Sequence, residues 1–110
     1  MEITKVASNG IVEVNISGRL DAATSTDAES VITGVIDDNN LKILINLENL
    51  TYISSAGLRV LLVAAKEMKA KSGKIILCSL IDNVKSVFEI SGFSIIFEIC
   101  DSKEEALKKF

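Results

Sequence analysis

The chain has 110 residues, 48% of them hydrophobic and 25% charged, with no proline, the profile of a compact fold of single-domain size rather than a disordered chain. Its formal charge of −3 is mild, and its 12 Lys and Arg are scattered along the sequence, so the basic stripe that nucleic-acid binding needs is missing and no nucleic acid is expected as a partner. There is no histidine and the two cysteines stand apart, which excludes a zinc site and any Ser-His or Cys-His catalytic pair.

The first residues, MEITKVAS, lack the basic start and apolar run of a secretory signal. Two β-type segments follow, residues 2–7 and 11–17, separated by Ser8-Asn9-Gly10; Asn-Gly between apolar runs predicts a hairpin and an antiparallel pair. In the second segment Val12, Val14 and Ile16 alternate with Glu13, Asn15 and Ser17, so one face is apolar and the other at least partly wet. Gly18-Arg19-Leu20-Asp21 breaks the alternation. Residues 22–37 then place Ala28, Val31, Ile32 and Val35 at helical spacing, and Asp38-Asn39-Asn40 ends that helix.

Residues 41–47, LKILINL, form a nearly continuous apolar run, which predicts a central strand covered on both faces. After a connection over residues 48–53, Ser54-Ser55 precedes Leu58, Leu61, Leu62, Ala65 and Met68, the spacing of an amphipathic helix. Either serine can cap it, because a hydroxyl accepts a hydrogen bond from an unpaired first-turn amide. On the same helix Ala56, Val60 and Val63 fall opposite the predicted core face, beside Arg59 and Glu67. They are therefore expected to form an exposed docking face, on which Val60→Asp would spare the fold. Lysines and then Ser72-Gly73 close the helix.

Residues 74–80 read as another buried strand, 82–91 as a short helix capped by Asp82 and stopped by Gly92, 94–99 as a strand and 101–109 as a final helix. Cys78 and Cys100 each end an apolar run and are expected to be free, buried thiols. The order of five strands and four helices predicts an α/β fold with a mixed, mostly parallel sheet and an N-terminal antiparallel hairpin. No apolar run is long enough to span a membrane, and a cytoplasmic location is expected.

The segment Asn46-Leu47-Glu48-Asn49-Leu50-Thr51-Tyr52-Ile53-Ser54-Ser55-Ala56-Gly57-Leu58 closely resembles the signature of the STAS family, in which a central strand leads through a short loop into a helix beginning Ser-x-Gly-Leu. Gly18-Arg19-Leu20-Asp21, Ser91-Gly92-Phe93 with Phe97, and Ser102-Lys103-Glu104-Glu105-Ala106-Leu107 resemble three further family elements in the same order. The resemblance implies a single STAS domain over residues 1–110, acting as an anti-sigma factor antagonist without catalytic activity or cofactor. In members of that type the phosphorylated serine stands two places before the glycine, which corresponds to Ser55. Ser54 stands where these members usually carry Asp. The implied partners are an anti-sigma factor serine kinase and a phosphatase, with the chain itself a monomer. Asp21, Ser54, Ala56, Gly57, Arg59, Val60 and Val63 are the expected partner-binding residues around Ser55.

Two other functions fit less of the sequence. A constitutive STAS scaffold, or a subunit of a signalling or lipid-transport complex, would leave Ser55 as a mere cap. A nucleotide-binding or enzymatic domain would need a Gly-rich phosphate loop or an acid and base cluster, and the sequence contains neither.

Overall fold

The structure, a computed structural model, describes residues 1–110. It opens with β1 (Glu2–Ser8) and β2 (Ile11–Leu20), paired antiparallel from Glu2↔Ser17 to Ser8↔Ile11. Asn9 and Gly10 join them with positive φ values of 54° and 79°, the backbone whose twist matches that of the flanking strands. Then follow α1 (Ser25–Asp37), β3 (Lys42–Asn46), β4 (Leu50–Ile53), α2 (Ser55–Ala70), β5 (Lys74–Cys78), α3 (Asp82–Ile90), a 3-10 turn (Phe93–Ile95), β6 (Glu98–Cys100) and α4 (Lys103–Leu107).

The sheet order is β1-β2-β3-β5-β6, with every pair after the hairpin parallel, and β4 pairs with β2 off this path. The mixed α/β fold with an N-terminal hairpin is as expected, but the sheet has six strands rather than about five. The additional strand, β4, lies in the stretch read as a connection. The first half of β2 pairs with β3, Val12↔Ile43 to Asn15↔Asn46, and its last residues turn to β4, Arg19↔Tyr52 and Leu20↔Ile53. The change of partner occurs at a bulge at Gly18, whose φ of 82° suits glycine.

One sheet face, with Val12, Val14, Ile16, Ile43, Ile45 and Leu77, packs with α1, α2 and α3 into a core of 22 buried residues. The other face carries a smaller cluster of Leu44, Ile76, Cys78, Cys100 and Ala106 beneath α4. Both cysteines are free and buried.

Several predicted boundaries and one cap move: β2 runs on to Leu20, α1 begins at Ser25 rather than residue 22, and β5 ends at Cys78 rather than residue 80. The strand expected at 94–99 is a 3-10 turn followed by the three residues of β6. Ile95 and Ile96 face solvent, and from that run Phe97 is buried, edge-on to Phe88 at 5.6 Å. The final helix begins at Lys103 because Ser102 accepts the Glu105 amide at 3.1 Å. Asp82 lies within the first turn of α3 and makes no side-chain cap; Ile81 holds the cap position.

Candidate functional site

The Ser-rich start of α2 sits where two parallel strand ends meet. Leu20 and Ile53 are register partners, and the Leu20 carbonyl accepts the Ser54 amide at 2.9 Å. Asp21 and Ser54, which follow the paired ends of β2 and β4, are thereby brought side by side. Gly57 allows this approach: a Cβ there would lie 2.7 Å from the Leu20 carbonyl oxygen, 2.8 Å from Leu20 Cγ and 2.9 Å from Ile53 Cγ1. No side chain fits that gap.

The two serines divide their tasks. Ser54, in extended backbone and half-buried, is the N-cap, and its Oγ accepts the Gly57 amide at 3.3 Å. Ser55 is the first helical residue; it is exposed, and its hydroxyl makes no hydrogen bond within the chain. With the capping position filled by its neighbour, Ser55 offers a free nucleophilic oxygen at the positive end of the helix.

Asp21 closes the turn before α1. Its Oδ1 accepts the Ala23 and Thr24 amides at 3.0 and 3.3 Å, and Oδ2 lies 3.6 Å from Arg19 Nε. Desolvation pushes the carboxyl pKa up, but these amides, the Thr24 hydroxyl and the Arg19 cation outweigh it, and the net shift is downward. Asp21 is thus held as a carboxylate. The Arg19 guanidinium also stacks 4.1 Å from the centre of the Tyr52 ring. Arg19 and Tyr52 were not among the expected site residues. Their meeting depends on the β2–β4 pairing, and a chain read without β4 does not bring them together.

The predicted docking face is only partly exposed. Arg59 is exposed, and Ala56 and Val63 are half-buried. Val60, expected on the surface, is 5% exposed, and Gly57 is buried too, so neither presents itself as a free surface residue. The cause is that α2 packs against α1 as well as the sheet. Its buried stripe therefore widens to include Val60 and Ala64, while Leu62 and Ala65, assigned to the core, are half-buried. Val60 forms the floor of a groove of about 270 Å³ between the two helices, lined also by Ser25, Glu29, Ala56, Arg59 and Val63.

The STAS domain profile matches residues 2–106. The chain belongs to the STAS family. Its relatives include BtrV of Bordetella bronchiseptica, named as a candidate anti-sigma factor antagonist, which is 36% identical over 110 residues covering all of this chain and 95% of BtrV. Among solved structures, a candidate anti-sigma factor antagonist from Thermotoga maritima superposes with a TM-score of 0.92 at 19% identity, over 97% of this chain and 92% of the other. The Bacillus cell fate determinant SpoIIAA in its phosphorylated form superposes with a TM-score of 0.76 at 23% identity, over 98% of both chains. These two likenesses show that the chain shares the fold of those proteins. The STAS signature of this chain therefore coincides with one place in the fold, the joint between β2, β4 and α2.

Proposed function

We propose that this STAS protein is an anti-sigma factor antagonist working as a phosphorylation-controlled binding switch in the cytoplasm, with residues 1–110 acting as one domain and no catalysis of its own. The observation that carries the reading is the pairing of a committed Ser54 with a free, exposed Ser55. Unphosphorylated, the chain binds a kinase-type anti-sigma factor through the start of α2 and the rim of the α1–α2 groove, and so displaces the sigma factor. The partner then transfers the γ-phosphoryl group of its ATP to Ser55 Oγ: the new O–P bond forms, the bond to ADP breaks and the hydroxyl proton leaves to a base on the partner. A dianion now stands beside the Asp21 carboxylate, on a surface that docked against a neutral hydroxyl, and the partner is released. A phosphatase resets the switch. The SpoIIAA structure supports the reading, as a protein of similar fold described in a phosphorylated form.

The test combines the purified chain, ATP and candidate kinase-type anti-sigma factors from the same genome. Phosphate should appear on Ser55 alone by mass spectrometry, and the modified chain should lose the partner in a titration. Phosphate on Ser54 would overturn the register. A partner bound equally by both forms would instead support the constitutive scaffold.

A further inference from the structure

Arg59 lies four residues after Ser55 on α2, and both side chains are exposed. Residues at this spacing are neighbours on a helix surface, about 5–6 Å apart at Cβ, within the reach of an arginine side chain. No carboxylate pairs with Arg59: the ion pairs of the chain are Arg19–Asp21, Lys74–Glu98, Lys85–Asp101 and Lys103–Glu13. Among the six residues lining the α1–α2 groove it is the one cation. An unpaired guanidinium within reach of the modified oxygen is a bidentate receptor for phosphate.

We propose that phosphorylated Ser55 captures Arg59, withdrawing from the docking face the cation it presents to an acidic group of the partner. This rests on the reading of Ser55 as the modified residue. It adds that release has two parts, a new anion that repels and a cation that is no longer available. The other charged groups around the site act in known directions: Glu29, across the groove, competes for Arg59, Asp21 repels the phosphate, and Arg19 is already held by Asp21 and Tyr52.

The experiment installs phosphoserine at position 55 during translation, so that no kinase is needed, in the parent chain and in Arg59→Gln, Arg59→Lys and Arg19→Gln chains. The second ionisation of the phosphate, normally near pH 6, is followed by phosphorus NMR at low salt, with circular dichroism to confirm folding. Arg59→Gln should raise this pKa by roughly 0.3 unit, the size of an i,i+4 ion pair, Arg59→Lys should restore most of the lowering, and Arg19→Gln should leave the value in place. An unchanged pKa in Arg59→Gln, or a rise in Arg19→Gln instead, would overturn the capture. Because the phosphate is placed without a kinase, this result stands apart from whether any partner modifies Ser55.

Discussion

At the start of α2 the Ser54 hydroxyl is committed to the Gly57 amide, whereas the Ser55 hydroxyl is free. The two serines should therefore respond oppositely to truncation. Ser54→Ala loses a helix cap and should cost about 1 kcal/mol of stability, while Ser55→Ala should change stability by less than about 0.5 kcal/mol and abolish phosphorylation. Urea titrations and mass spectrometry of the two variants check both halves. Gly57→Ala is the more severe residue-scale change. Its methyl group would meet the Leu20 carbonyl and the side chains of Leu20 and Ile53 at under 3 Å, and overpacking of this kind costs about 1–3 kcal/mol. Because the clash lies at the joint that sets Asp21 beside Ser54, the variant should also bind the partner poorly even where it remains folded. Both effects are read by a thermal melt paired with a partner titration.

At the scale of elements, α2 shows how a helix that packs on two neighbours escapes a one-sided reading. The 3.6-residue period assigns Val60 to the face opposite Leu58 and Leu61, yet α1 covers that flank and Val60 is buried. Val60→Asp would place an unpaired charge in the core, and for a domain with about 5–15 kcal/mol of total stability this should prevent folding. Val63, half-buried at the groove rim, is the position that separates binding from folding: Val63→Asp should retain most of the melting temperature and lose the partner. If Val63→Asp binds as the parent chain does, the docking surface lies away from the groove.

Across the whole molecule, α4 is tied to the sheet by charge as well as by the small cluster beneath it. Lys103 Nζ reaches Glu13 Oε1 at 2.7 Å, and the buried Asn46 donates to Glu13 Oε2 at 3.3 Å while its own carbonyl oxygen accepts the Glu48 amide. Burial pushes the Glu13 pKa up, but Lys103 and the side-chain amides prevail and the net shift is downward. A carboxylate whose pKa is depressed on folding stabilises the native state above its unfolded pKa, near about pH 4.3, and that contribution is lost as pH falls through the lower folded value. Melting temperature should thus fall on acidification below about pH 4 more steeply in the parent chain than in Glu13→Gln; parallel curves would mean that the pair contributes nothing.

What the sequence determined alone is what depends on neighbours along the chain. The Asn9-Gly10 turn, the apolar run of β3, the start of α2 at a serine cap and the stop at Gly92 each follow from local backbone preference and periodicity, and the STAS signature is itself a contiguous string of residues. The tertiary structure decided whatever needs a partner from elsewhere. Strand β4 has only four residues, with Thr51 and Tyr52 both exposed between buried Leu50 and Ile53, and it exists because β2 changes partner at Gly18. The stacking of Arg19 on Tyr52 exists because of β4. Val60 is buried because α1 lies across it, and Glu13, on a face read as wet, is largely shielded because Lys103 arrives from the last helix. Periodicity records which side of an element is apolar; how many neighbours cover that element, and which charge meets which, is settled only when distant segments pack together.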